Sequence, residues 1–165
     1  TRAELTSLMG RFWAMDRDKR WDRIEKAYKA MTGQVSVVQN TDPFHIISES
    51  YKSGKTDEFI EPVLLSEKGV MKNGDSVIFF NYRSDRAREI SHAILDEDFH
   101  EFDRGKGFIP SFYAGMTQYD VTLKNIQTAF LPQNFKNIFG EWLESSGFVR
   151  NLGTEGGLIR TVVNG

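Results

Sequence analysis

Two arginine-rich segments hold the residues of this chain that are best suited to chemistry. The first runs from Gly10 to Trp21 (GRFWAMDRDKRW), and the second, about sixty residues later, runs from Phe80 to Arg88 (FNYRSDRAR). A guanidinium group offers five N–H donors in a flat fork that fits a carboxylate or a phosphate, and it stays charged at physiological pH. Two such segments on rigid supports predict a clamp for a small, doubly anionic ligand.

Ordinary surface ion pairs are the alternative interpretation, and such pairs contribute little to stability. In the first segment they would join four arginines to three acids: Arg11, Arg17, Arg20 and Arg23 to Asp16, Asp18 and Asp22. Trp13 and Trp21 interleave with these charges and would pin the loop, so that its arginines lose less entropy on binding. In the second segment Asp85 lies between two arginines, where it would either close a local network or orient one fork toward a ligand.

The element before the second segment predicts where its arginines lie. Ser76–Phe80 is a continuous apolar run after its serine, which is typical of an interior parallel strand covered on both faces. Four apolar residues at helical spacing follow it: Ala87, Ile90, Ala93 and Ile94. A strand, a short polar loop and a helix place that loop at the carboxyl edge of a sheet, where α/β folds bind ligands. The start of the helix adds free backbone N–H groups.

Other elements follow from apolar spacing and turn chemistry. The pattern predicts a helix from Trp21 to Met31 with Gly33 after it, and a second helix from Asp42-Pro43 to Tyr51. Tight turns are predicted at Lys72–Asp75 and Gly105–Gly107, and an extended segment between Phe108 and Tyr119. A further amphipathic helix would carry Phe135, Ile138, Phe139, Trp142 and Leu143 and end at Gly147.

Composition limits the class of protein. The chain has 165 residues, a net charge of −2 and no cysteine, and these values predict one domain of ordinary size, in the cytoplasm, without disulfides, nucleic acid or a membrane as partners. The chain starts without Met and ends in a polar segment, so we expect it to be a piece of a longer protein. Its three histidines do not cluster, which predicts no metal site, and no serine lies in a nucleophile elbow.

At the two arginine segments the chain resembles the cofactor-independent (2,3-bisphosphoglycerate-independent) phosphoglycerate mutases. Gly10–Arg23 is similar to the signature segment of that family, and Phe79–Arg88 is similar to its second arginine motif. Phe112–Asp120 resembles the stretch where the family's chain returns from an inserted domain. These motifs occur in the family's order within residues 1 to about 147.

The resemblance implies an α/β fold and a division of the chain. Residues 1–115 would form the later part of the inserted phosphoglycerate-binding domain, a mostly parallel sheet flanked by helices. Residues 116–165 would form the linker and first helix of the phosphatase-like domain, with a divergent tail.

The resemblance also implies an activity and its residues. The reaction would be the interconversion of 3-phosphoglycerate and 2-phosphoglycerate in glycolysis and gluconeogenesis, through a phosphoserine intermediate. Full-length relatives would hold two manganese ions and be monomers. The substrate-binding arginines would be Arg11, Arg17, Arg83 and Arg86, with Asp16 and Asp85 as candidates to orient them.

The chain departs from the family pattern where catalysis would occur. The nucleophilic serine and the metal ligands of the phosphatase-like domain have no counterpart here, and Gly156 occupies the position of the family's catalytic lysine. We therefore predict no catalytic residue and no bound metal in this chain, which would be inactive in isolation. The alternative is a non-catalytic phosphoglycerate-binding module, or a partner of a full-length enzyme, that kept the arginine clamp.

Overall fold

The computed structural model describes six stretches of the chain: residues 3–38, 42–133, 135–136, 138–146, 149–152 and 159–162, the last two as backbone. The chain divides into two compact units, Thr1–Leu131 and Pro132–Gly165. The described residues of the second unit form one short helix and an antiparallel pair of strands. The first contains both arginine segments and therefore the candidate site. The predicted division at residues 115 and 116, which rests on family resemblance, remains a prediction.

A three-stranded parallel sheet forms the centre of the first unit. Its strands are β3 (Ser76–Phe79), β4 (Phe112–Thr117) and β5 (Gln127–Phe130), in the order β3-β4-β5. Val77 lies opposite Tyr113, and Gly115 lies opposite Thr128. This arrangement confirms the α/β fold with a parallel sheet.

The remaining described elements are helices, one 3-10 turn and two antiparallel pairs of strands. The helices are α1 (Arg11–Ala14), α2 (Trp21–Met31), α3 (Pro43–Lys52), α4 (Ser84–Leu95) and α5 (Phe139–Ser145), with a 3-10 turn at Asp57–Phe59. The other strands pair antiparallel: β1 (Ser7–Leu8) with β2 (Val63–Leu64), and β6 (Val149–Leu152) with β7 (Ile159–Val162). None of the helices within the described residues is long and apolar enough to span a bilayer.

The main core lies between the sheet and helices α2 and α4. Fully buried Ile24 and Tyr28 of α2 meet Ile90 of α4 and Tyr113 of β4 there. The buried hydroxyl groups of Tyr113 and Ser91 lie 2.8 Å apart and satisfy each other. Burial raises the pKa of Tyr113, so this phenol stays neutral. The apolar spacing that predicted both helices is the spacing that buries these residues.

The prediction that β3 is an interior strand covered on both faces is wrong for the described residues. This strand pairs with β4 alone and forms one edge of the sheet. On the face opposite the core, Ile78 is 67% exposed and Phe80, just after the strand, is 76% exposed. A run of apolar side chains shows that both faces suit burial, but the layer that covers them must come from other elements, and the described residues supply one layer.

Two further elements differ from the sequence prediction. Strand β5 was not predicted, because Gln127–Phe130 is only four residues long and lacks an apolar alternation. Helix α5 is shorter than its pattern suggested, since Phe135 and Ile138 precede it and are exposed. Its predicted end, Gly147, lies outside the described residues.

Candidate anion-binding site

The loop that follows β3 carries the second arginine segment to the carboxyl edge of the sheet. Arg83 is the residue just before α4, and its backbone N–H donates to the side chain of Asn81. Thr117, at the end of the neighbouring strand, donates to the carbonyl of Tyr82. The loop is therefore tied to the ends of two parallel strands, as the strand–loop–helix pattern predicted.

Asp85 joins the two arginine segments. Its carboxylate accepts from Nε of Arg83 at 2.7 Å and from Nη2 of Arg83 at 3.0 Å. It also accepts from Nη1 of Arg17 at 3.1 Å, across 68 residues of sequence. Two of the five donors of Arg83 and one of those of Arg17 are used in these bonds, which leaves donors on both guanidinium groups for an anion.

Electrostatics keep Asp85 ionised. The hydrogen bonds from Arg83 act first and those from Arg17 add to them, so the pKa of Asp85 falls to about 2 although partial burial opposes this. An ionised Asp85 compensates part of the repulsion between the two arginines. It therefore allows two cations to stand close together before any ligand arrives.

Arg86 connects the same helix to the end of α1. Its Nη1 donates to the backbone carbonyl of Met15 at 3.0 Å. Its Nε is buried and has no hydrogen-bond partner among the described residues. A buried donor without a partner costs free energy, and an anion reaching this point would satisfy it. Arg86 thus ties α4 to the first arginine segment.

Arg11 occupies a different environment from the other three arginines. It begins the single turn of α1, and Met15, the residue that Arg86 contacts, follows that turn. Its guanidinium group, however, donates from Nε to Glu58 at 2.5 Å. The structure therefore joins Arg17 and Arg83 through Asp85, links Arg86 to the first segment through the carbonyl of Met15, and places Arg11 in an ion pair with Glu58. Substrate binding by all four arginines remains a prediction.

Buried Asp16 fixes the loop that carries Arg17. One of its oxygens accepts from the backbone N–H groups of Asp18 and Arg20, at 2.9 and 3.0 Å, and the other accepts from the side chain of Arg20 at 2.9 Å. Burial acts to raise the pKa of Asp16, but these hydrogen bonds outweigh it and the pKa lies below its usual value. Arg20 also bonds to Asp18 at 2.6 Å, so it forms the ion pairs with neighbouring acids that the alternative interpretation predicted.

The aromatic residues of the first segment pin α1 to its neighbours. The indole N–H of Trp13 donates to the carbonyl of Phe59 at 3.3 Å, and the ring of Phe12 packs against the ring of Phe59. From α2, the guanidinium of Arg23 lies 3.7 Å from the centroid of the Phe12 ring. Trp21 packs edge-on against Phe99 in the core region. The interleaved aromatics thus act as anchors for the arginine loop.

Tyr119 supports the second arginine segment through hydrogen bonds to its backbone, a role that was not predicted from the sequence. Its hydroxyl lies 2.8 Å from the carbonyl of Phe79 and 2.7 Å from that of Asn81, and it accepts from the N–H of Met116. Its ring lies against Gly115, where an added Cβ would come within 2.6 Å of the ring. A tyrosine after a strand gives no sequence signal for such a role, because its partners are backbone carbonyls.

We expect Tyr119→Phe to lower the free energy of unfolding by about 1–3 kcal/mol, because one buried and two partly buried backbone groups lose their common partner. The loop before Arg83 should also exchange its amide protons faster. Urea unfolding and hydrogen exchange measure the two effects. Tyr51→Phe, at an exposed tyrosine of α3, is the matched control; equal effects in both variants would contradict the role of Tyr119.

The described residues contain no group of three or more His, Cys, Asp or Glu side chains that could hold a metal ion. The manganese ions that the resemblance implies for full-length relatives therefore have no ligand set among these residues. Gly156, which occupies the position of the family's catalytic lysine, lies outside the described residues.

The three-stranded parallel sheet, with Arg83 and Asp85 in the segment that follows β3, defines this unit as an α/β domain. The family model described as the N-terminus of 2,3-bisphosphoglycerate-independent phosphoglycerate mutase matches residues 1–121. The chain therefore belongs to this family.

Curated relatives and a solved structure agree with this assignment. Enzymes named 2,3-bisphosphoglycerate-independent phosphoglycerate mutase are 42% identical in Acetivibrio thermocellus and 44% identical in Idiomarina loihiensis, over 87% and 86% of this chain. The Leishmania mexicana phosphoglycerate mutase, crystallised at low cobalt concentration, superposes with a TM-score of 0.70 and 29% identity over 88% of this chain. The chain spans 28–29% of the length of these relatives.

Proposed function

We propose that this chain supplies the arginine clamp of a phosphoglycerate mutase that interconverts 3-phosphoglycerate and 2-phosphoglycerate. The observation that supports the proposal best is the Asp85 network, in which two distant segments present Arg17 and Arg83 side by side. A phosphoglycerate carries a phosphate and a carboxylate, and charge-assisted bonds from planar guanidinium groups suit both. Family membership supports the identity of the substrate.

The role of the clamp is positioning and charge neutralisation. Donors held in place by Asp85 would bind the phosphoglycerate without reorganising, and they would offset its negative charge while a phosphoryl group is transferred. The phosphoserine step would take place on residues that lie elsewhere in the longer relatives. Arg86 would contribute its buried Nε, and Arg11 would join the clamp by exchanging Glu58 for the ligand.

Calorimetric titration of the 165-residue chain with 3-phosphoglycerate tests the clamp. We expect binding that weakens as salt is added, because surface charges are screened. Glycerate, which lacks the phosphate, should bind more weakly than 3-phosphoglycerate. Absence of heat with 3-phosphoglycerate at low salt would contradict a clamp that works in this chain alone.

A turnover assay with manganese present tests the second half of the proposal. We expect the isolated chain to interconvert no phosphoglycerate, since the serine and metal ligands of the family are absent from its sequence. Binding without turnover fits both a clamp domain and a non-catalytic binding module. Robust turnover would contradict the proposed division of labour.

A further inference from the structure

Glu89 is a buried acid that the proposed clamp leaves unexplained. It lies on α4, one turn after Arg86, and only 6% of its surface is exposed. Its Oε1 accepts from the backbone N–H of Lys19 at 2.8 Å. Its Oε2 is buried and has no hydrogen-bond donor among the described residues. A buried, ionised carboxylate oxygen without a donor costs folding free energy, which favours the protonated form of this side chain.

The contact with Lys19 completes a pattern around the arginine loop, defined as residues 16–20. Asp16 accepts from the N–H groups of Asp18 and Arg20, and Glu89 accepts from the N–H between them. Two carboxyl groups from different elements therefore hold three successive backbone N–H groups. Lys19 itself has a φ of 59°, a left-handed conformation that a residue with a side chain rarely adopts without support.

The charges that face Glu89 are mainly negative. Burial acts first to raise its pKa above the usual value, and the carboxylates of Asp16 and Asp18 raise it further, against the hydrogen bond from Lys19. No arginine among the described residues donates to Glu89: Arg20 and Arg23 bond to Asp16, and Arg86 donates from Nη1 to the carbonyl of Met15 while its buried Nε has no partner. Asp16 and Glu89 accept from the N–H groups of adjacent residues, so their carboxyl groups meet at the same short stretch of backbone.

A proton on Oε2 of Glu89 would turn this unpartnered acceptor into a hydrogen-bond donor. Protonated Glu89 has one O–H donor, which can reach the Asp16 carboxylate, while its other oxygen still accepts from Lys19. We propose that Glu89 is a positioning residue of the anion site: protonated, it bridges Asp16 and Lys19 and fixes the arginine loop so that Arg17 reaches Asp85. The inference deepens the proposed function and rests on it.

Replacing Glu89 by glutamine separates this role from general packing. In Glu89→Gln the side-chain carbonyl can accept from Lys19 and the amide can donate to Asp16, so both contacts persist at every pH. Glu89→Met removes both contacts at similar length. Glu101→Gln, at an exposed acid, is the control for the change of charge.

We expect the Lys19 amide in Glu89→Met to exchange about tenfold faster than in Glu89→Gln, which corresponds to one lost hydrogen bond. As pH rises through the folded pKa of Glu89, the wild-type chain should lose stability and affinity for 3-phosphoglycerate relative to Glu89→Gln. Stability falls with rising pH because the pKa of Glu89 is higher in the folded chain than in the unfolded chain, so the folded chain binds the proton more tightly. The stabilisation is therefore complete below pH 4.5, the unfolded-state pKa, and is lost as pH rises through the folded-state pKa.

At each pH the affinity of the wild-type chain for 3-phosphoglycerate is divided by that of Glu89→Gln. The titration of the ligand's own phosphate affects both affinities equally and cancels in this ratio. Identical pH profiles for the two would overturn the proposal, as would equal Lys19 exchange in Glu89→Met and wild type. If Glu89→Met fails to fold, the pH profiles of the wild-type chain and Glu89→Gln still test the proposal. If the wild-type chain binds no 3-phosphoglycerate, the proposed function fails, while the Lys19 exchange rates still test the role of Glu89.

Discussion

Replacing Arg83 by alanine should weaken the binding of 3-phosphoglycerate by roughly 10- to 100-fold, the value of one charge-assisted hydrogen-bonding group. Arg83 is more than half exposed and bonds only to Asp85 through its side chain among the described residues. Its removal should therefore leave the fold intact. The variant also leaves Asp85 with a single arginine, so its negative charge would repel the ligand more strongly.

Lys52→Ala is a matched control for this prediction. It removes the same charge from an exposed ion pair with Glu49 on α3, and it should change the affinity by less than about twofold. Arg83→Lys keeps the charge but loses the planar fork, and we expect an intermediate affinity. Titration calorimetry at constant ionic strength measures all three variants. Equal affinities for Arg83→Ala and the wild-type chain would remove Arg83 from the site.

Gly10→Ala should lower the free energy of unfolding by about 1–3 kcal/mol, the usual cost of overpacking. A Cβ at Gly10 would lie 2.2 Å from the carbonyl oxygen of Glu58, and the backbone there cannot rotate away as a side chain can. The φ of −79° at Gly10 is open to any residue, so the conflict is steric. Because Gly10 also donates to the carbonyl of Ile60, separating these segments would release Arg11 from Glu58.

Gly69→Ala provides the comparison for this variant. Its Cβ would lie 2.1 Å from the hydroxyl oxygen of Thr6, which is a side-chain atom and can turn away. We expect a smaller loss of stability there, and none once Thr6→Ala is added. Urea unfolding measures both variants. Equal losses of unfolding free energy for Gly10→Ala and for the Gly69→Ala/Thr6→Ala double variant would show that the backbone around Glu58 moves aside easily.

Much of the fold could be predicted because it follows from local patterns. Helix α2 spans Trp21–Met31 as its apolar spacing predicted, and Asp42 accepts from the N–H of Phe44 as a helix cap should. The burial of β3 was predicted wrongly and β5 was missed. Both errors concern which layers and neighbours a strand finds, and this information lies in distant parts of the chain.

The candidate site, like the fold, was predictable where it depends on local sequence and unpredictable where it depends on distant partners. The sequence by itself determined the family, the two arginine segments and the place of the second segment at the carboxyl edge of a parallel strand, since motifs and apolar runs are local. Only the tertiary structure decided that Asp85 binds Arg17 as well as Arg83, and that Arg11 pairs with Glu58 instead. The physical reason is that a charged side chain takes its partner from whatever the fold brings within about 3 Å. That neighbour is set by the packing of α1, α2 and α4, and the order of residues does not reveal it.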